Sequence, residues 1–144
     1  MIKVKIQKIC EDAVLPKYAH ETDAGMDLYS VKRYVLKPRH RLLARTGLKM
    51  EIPRGYEMQI RPKSGLALKE GITVLNTPGT VDSDYRGEVG VILINHSSKT
   101  CRIEKNQKIA QAVFNKIEKA KLTEVKRVNE TERGEGGFGS TGLK

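Results

Sequence analysis

The sequence predicts an all-β domain, a sandwich or barrel carrying one short helix and a flexible Gly-rich C-terminal tail. Three observations lead there. Apolar residues recur with a period of two in several segments, and clusters of Pro, Gly and Asp separate those segments. Only one stretch, a short one, has both a helix start and a helix stop.

Along the chain, Ile2, Val4 and Ile6 alternate with Lys3, Lys5 and Gln7, which reads as a first half-buried strand. Leu48, Met50 and Ile52 alternate with Lys49 and Glu51, and Tyr56, Met58 and Ile60 with Glu57, Gln59 and Arg61. Pro53, Arg54 and Gly55 lie between these two strands with the composition of a short hairpin connection. Ser64 can cap a helix, residues 66–70 are good helix formers, and Gly71 can end it. Residues 89–94, VGVILI, are apolar on both faces and belong in the middle of a sheet sandwich. Residues 109–114 form another short apolar run, and 122–128 fits either a strand or a helix. From about Asn129 large apolar side chains nearly vanish, and five of the 13 glycines fall within 134–142. Such a segment buries too little to offset its ordering entropy. The expected organisation is one β domain over 1–128 and a mobile tail over 129–144.

A chain of 144 residues fits one domain and can bury a core without staples. Its 27 Lys and Arg against 17 Asp and Glu give a net charge of +10, which favours polyanions and leaves the fold open. No apolar run approaches the ~18 residues of a membrane span, and the start, MIKVKIQKIC, lacks the apolar core of a signal peptide. Cys10 and Cys101 are too few for a disulfide framework or a four-thiolate zinc site. A soluble cytoplasmic protein with no membrane partner is the expectation.

Several segments are candidates for chemistry, each with a plainer alternative. Residues 137–142, GFGSTG, match the spacing of a dinucleotide fingerprint, but that motif must leave a strand and open a helix. The plainer alternative is a flexible end. Arg133, Phe138, Ser140 and Thr141 nonetheless suit phosphate oxygens and a base face. Pro62-Lys63-Ser64-Gly65 opens the helix, where unpaired N–H groups attract an anion, or where an ordinary cap suffices. Residues 76–88, NTPGTVDSDYRGE, crowd Asp82, Asp84, Tyr85, Arg86 and Glu88 into one loop. Aspartates there serve as turn formers or as a site mounted rigidly on the apolar strand that follows. Asp23 and Asp27 are turn-like, and a carboxylate here suits a metal-bound water, since Mg²⁺ uses few protein ligands. His20, His40 and His96 show no metal-ligand spacing, and neither a Walker A sequence nor a G-x-S-x-G elbow is present.

Taken in order, these segments resemble the five motifs of the trimeric dUTP pyrophosphatases, the dUTPases. They are AGMDL at 24–28, RPKSGLALKEGI at 61–72, NTPGTVDSDYRGE at 76–88, KIAQ at 108–111 and RGEGGFGSTG at 133–142. The resemblance implies a jelly-roll-like subunit in a homotrimer whose active sites lie between subunits. It implies hydrolysis of dUTP to dUMP and pyrophosphate with Mg²⁺, which lowers dUTP and supplies dUMP for thymidylate synthesis. By this resemblance Asp82 is the general base. Asn76 and the backbone of Thr80, Val81 and Asp82 read uracil, Tyr85 packs under the deoxyribose, and Gly90 leaves backbone close to the base. Lys63, Ser64 and Gly65 hold phosphate oxygens from a neighbouring subunit. Asp27 and Gln111 hold waters of the Mg²⁺ shell. Arg133, Gly139, Ser140 and Thr141 clamp the distal phosphates while Phe138 stacks on uracil as a third subunit's tail closes.

Two positions depart from the family pattern. Lys63 stands where the second motif usually has Arg, which keeps the charge and loses the planar fork. Asn106 stands where the fourth motif usually has Gly, and Asn is the next most tolerant residue of positive φ. The other functions considered are a dCTP deaminase-related activity, a nucleotide-binding regulatory protein of the same fold, and a basic nucleic-acid-binding module. The last is disfavoured because the five Tyr and two Phe form no stacking row and the cations are scattered.

Overall fold

Alternating side chains put one face of each strand inward, and these faces meet in a jelly-roll-like arrangement in the computed structural model, which describes residues 1–142. The elements are β1 (Lys5–Lys8), β2 (Met26–Tyr29), β3 (Tyr34–Leu36), β4 (Arg41–Arg45), β5 (Leu48–Glu51) and β6 (Tyr56–Arg61). After them come α1 (Ser64–Glu70), β7 (Ile72–Val74), β8 (Gly79–Val81), β9 (Gly90–Asn95), β10 (Cys101–Ile103) and β11 (Lys108–Lys116). One sheet has the order β2-β11-β6-β8 and a second the order β4-β9-β7, while β1 pairs with β5 and β10 with β3. All of these pairings are antiparallel.

The core lies between the inward faces. Leu28, Met58, Ile109 and Ala112 bury from the first sheet, and Val91 and Leu93 from the second. On β6 the buried Met58 and Ile60 alternate with the half-buried Gln59 and Arg61, as the period of two requires. Strand β9 is central in its sheet, with Val91, Leu93 and Asn95 buried. Its other face, Gly90, Ile92 and Ile94, is only half-buried, so the both-faces-buried expectation holds on one side alone. Asn106 takes φ 61 in the turn before β11, so Asn meets the positive φ expected at this position.

Four local expectations change. The first strand is shorter and later, Lys5–Lys8, and all four of its residues are exposed, because it pairs only with β5. Pro53 to Gly55 do turn the chain, but β5 pairs with β1 whereas β6 pairs with β11 and β8. The connection therefore crosses between sheets. Ser64 is the first helical residue and caps nothing. Lys63 is the N-cap with extended backbone and no side-chain cap bond, whereas Gly71 ends the helix at φ 64. Residues 122–128 are neither strand nor helix, and Leu122 and Val128 are 91% and 78% exposed. Neither period finds an apolar surface of this chain to cover.

Ile117 N–H still donates to Gly55 O at 2.9 Å, and after it the backbone bonds are local turns, such as Gly136 N–H to Arg133 O at 3.0 Å and Ser140 N–H to Gly137 O at 3.0 Å. Residues 143 and 144 of the expected tail lie outside the described residues. No helix among the described residues is long and apolar enough to cross a membrane.

One glycine is demanded by both conformation and space. Gly47, between β4 and β5, has φ 69, and a Cβ there would lie 2.5 Å from Cys10 Sγ and 2.9 Å from Ala13 Cβ. Gly47→Ala is expected to destabilise the protein by about 2–4 kcal/mol through overpacking and left-handed strain. Urea unfolding at fixed protein concentration checks this, and an unchanged midpoint would contradict it.

Candidate active site

The edge strand β8 carries the densest group of candidate residues. It pairs only with β6, through Met58–Val81, Gln59–Thr80 and Ile60–Gly79. Its other edge therefore offers free main-chain N–H and C=O groups. A cleft of about 180 Å³ opens here, lined by Asn76, Thr80, Val81, Asp82, Tyr85 and Gly90 among others. It is smaller than the roughly 300–1,000 Å³ of a typical small-molecule site, so it would enclose only part of a larger ligand.

The loop between β8 and β9 is fastened at several points. Tyr85 N–H donates to Asp82 O at 3.2 Å, and Arg86 Nη1 donates to Ser83 O at 2.8 Å and Tyr85 O at 3.0 Å. The Tyr85 hydroxyl donates to Glu88 O at 3.0 Å, which lays the ring across Gly87. A Cβ on Gly87 would lie 2.2 Å from that hydroxyl oxygen. Glu88 accepts from Arg45 Nε and from Gly47 N–H, each at 2.8 Å. Gly90 lines the cleft, and the space its missing Cβ leaves is taken by Leu43 Cδ1, 2.6 Å from that position. Asp82 is exposed at the end of β8.

A second cluster forms on the β2–β11 ladder, where Gln111 stands opposite Asp27. The Asp27 side chain is only 13% exposed, and its Oδ1 is paired with Lys63 Nζ. Its Oδ2 is paired with Lys108 Nζ at 2.7 Å. Burial pushes this carboxyl up, but the hydrogen bonds from Lys108 and Lys63 outweigh it and hold it below the ordinary Asp value. Gln111 Nε2 donates to Pro62 O at 2.9 Å and so ties β11 to the turn that opens α1. Its Oε1 rests against Gly25, where a Cβ would be 2.6 Å away. Above Gly65 there is open space.

The expected residues thus fall into three places. Asn76, Thr80, Val81, Asp82, Tyr85 and Gly90 share the cleft. Asp27, Lys63 and Gln111, with Ser64 and Gly65 following Lys63 into α1, occupy the second region and do not line that cleft. Arg133, Phe138, Gly139, Ser140 and Thr141 are exposed on the tail, where Arg133 Nε donates to Gly136 O at 2.7 Å. Sequence reasoning passed over Gly25, Gly87 and Lys108 as individual residues, although all three lie inside or beside the segments singled out. Their one signal was small size or charge next to a named residue.

Comparison with known proteins shows relatives over nearly the whole chain. The family model described as dUTPase matches residues 11–142. The deoxyuridine 5'-triphosphate nucleotidohydrolase of Clostridium tetani is 55% identical over 139 residues, 96% of each chain. A mutant dUTPase of Staphylococcus bacteriophage 80alpha, solved with dUpNHpp, aligns at TM-score 0.91 and 26% identity over 99% of this chain and 100% of its own. A mutant dUTPase of phage phi11 of S. aureus, described with a structural Mg(II) ion, shares the fold at TM-score 0.83 and 23% identity, over 90% of this chain and 100% of its own. With motif order, sheet topology and the family match in accord, the chain belongs to the dUTPase family.

Proposed function

We propose that this protein hydrolyses dUTP to dUMP and pyrophosphate in the cytoplasm, as a homotrimer that uses Mg²⁺. One observation carries the reading: the Asp82 carboxylate lies on a base-sized cleft whose wall is the free edge of β8. Uracil has an N–H donor between two carbonyl acceptors, which main-chain groups of Thr80, Val81 and Asp82 can complement together with Asn76. A cytosine amino group puts a donor where the strand also donates, and a 5-methyl group finds no room in a narrow slot. Tyr85, laid across Gly87, forms the floor for the deoxyribose and excludes a 2′-hydroxyl.

Asp82 accepts the proton of the attacking water, which adds in line to the α-phosphorus as the bond to the pyrophosphate oxygen breaks. General-base catalysis of this kind contributes about 10²–10⁴-fold. Lys63, Ser64 and Gly65 of a neighbouring subunit bind phosphate oxygens. The tail of a third subunit, over 129–142, closes with Arg133, Gly139, Ser140 and Thr141 on the distal phosphates and Phe138 on uracil. Closure fixes the chain of phosphates and excludes other water. Asp27 and Gln111 are cross-strand neighbours, but Lys63 and Lys108 occupy both Asp27 oxygens and Gln111 Oε1 packs against Gly25. Within the subunit this cluster therefore does not fit a cation, and Mg²⁺ would be held chiefly by the substrate phosphates and water. When bound, the ion supplies neutralisation of phosphate charge.

A substrate panel tests the activity. Pyrophosphate from dUTP, and little from dCTP, dTTP or UTP, is expected; ammonia from dCTP would indicate deamination, and no product a binding role. Asp82→Asn is expected to bind the nucleotide normally and to lose at least about 100-fold in kcat, with near-normal turnover removing Asp82 from its role. Gly87→Ala is expected to displace Tyr85, raising KM for dUTP and narrowing the preference for dUTP over UTP. An unchanged ratio of kcat/KM values would show that Tyr85 does not read the sugar. Refolding Asp82→Asn chains together with chains truncated before Arg133 is expected to recover part of the activity, because some mixed sites receive intact parts from both. No recovery would mean that each site is built within one chain.

A further inference from the structure

We propose that Lys108 is a positioning residue of the phosphate site: by holding Asp27, it frees Lys63 for the nucleotide. This rests on the reading of Lys63 as a phosphate ligand.

Two ammonium groups converge on one carboxylate, Lys63 on Oδ1 and Lys108 on Oδ2, and the cluster carries one surplus positive charge. The strand is shaped to bring this about. In a regular strand, residues 108 and 111 point to opposite faces. Here the register shifts between Lys108 and Ala110, so that Lys108 stands opposite Tyr29 while Gln111 stands opposite Asp27. Tyr29 and Asp27 share a face of β2, so the bulge puts Lys108 and Gln111 on that face together.

The double pairing has a consequence for binding. Lys63 is a point charge on a flexible stem, and when it moves toward a phosphate its hold on Asp27 weakens. An Arg fork at this place could hold both anions at once. Stripping a mostly buried carboxylate of its only partner is strongly unfavourable. With Lys108 on the second oxygen, Asp27 keeps a cation as Lys63 turns to the nucleotide. Lys108 thereby acts through Asp27 and needs no contact with substrate.

Calorimetric titration of the full-length protein with dUpNHpp in EDTA tests this without any metal contribution. Lys108→Met is expected to weaken binding about tenfold, and Lys108→Arg to stay within about twofold of the parent. In an Asp27→Asn background, where no carboxylate competes for Lys63, Lys108→Met is expected to have no further effect. Equal loss in both backgrounds would show that Lys108 meets the nucleotide itself, and no loss in the parent would remove its role; either result overturns the proposal. Lys108→Gln gives the same comparison if the Met variant fails to assemble. Lys63→Ala separates the levels. If it binds like the parent, the phosphate-site reading fails, whereas weakening there with an unaffected Lys108→Met defeats the Lys108 proposal alone.

Discussion

The carboxylate of Glu88 anchors the loop between β8 and β9 to the sheet, and the shape of the cleft depends on it. One oxygen accepts from Arg45 Nε and the other from the main-chain N–H of Gly47, both at 2.8 Å. The next residue, Val89, is buried and fastened on both sides: its N–H donates to Leu48 O at 2.8 Å, and its carbonyl accepts from the Thr46 hydroxyl. The stretch 45–48 thus grips 88–89 just where β9 begins. Two hydrogen bonds to one carboxylate, together with the two bonds of Val89, hold this short loop against the sheet. The same grip explains Gly47, whose backbone must come close to both Glu88 and Cys10. From this anchor the Tyr85 hydroxyl reaches Glu88 O, and the ring is laid over Gly87. A cleft held this way is organised before any ligand arrives.

The alternation of β6, the stop at Gly71 and the position of β9 were legible in the sequence because each depends on local period or backbone freedom. The partners of β5 and β6 were not. A Pro-Arg-Gly turn looks the same whether the strands beside it pair with each other or with distant strands. The motifs likewise named Asp82 and Asp27 without showing what surrounds them. Lys108 is the clearest case: strict alternation separates it from Gln111, and only the bulge in β11 brings it onto Asp27. Gly25 is similar, since its need for a bare Cα comes from Gln111, far away in sequence. Residues 122–128 defeated both periodicities because burial needs a second surface, and the described residues fold none over them.

The placement of charge gives a physical reason for dividing a site between subunits. Asp27 shows what happens when cations and a carboxylate share one region: two lysines hold both oxygens and lower its basicity. A general base treated that way would be a poor proton acceptor. Asp82 has no ion-pair partner among the described residues. The cleft it shares with Asn76 and Tyr85 is lined by no Lys or Arg, while on its other side Asp82 borders a groove that includes Arg54, Arg86 and Lys119. Phosphate binding nevertheless requires cations. Carrying the Lys63 and Lys108 ammonium groups on a different part of the subunit keeps those two cations on Asp27, and Asp82 has no ion-pair partner among the described residues. In the proposed trimer Lys63 approaches the cleft from a neighbour and meets the nucleotide's phosphates, whose charge draws it away from Asp82. The Gly-rich tail adds a further condition. Ordering it costs about 1–2 kcal/mol of backbone entropy per residue, so in the proposed mechanism its closure requires compensating contacts from the phosphates and base. In the proposed trimer, bringing in positive charge through separate chains and a late-closing tail lets one site hold a strongly anionic substrate beside a carboxylate that has no ion-pair partner among the described residues of its own subunit.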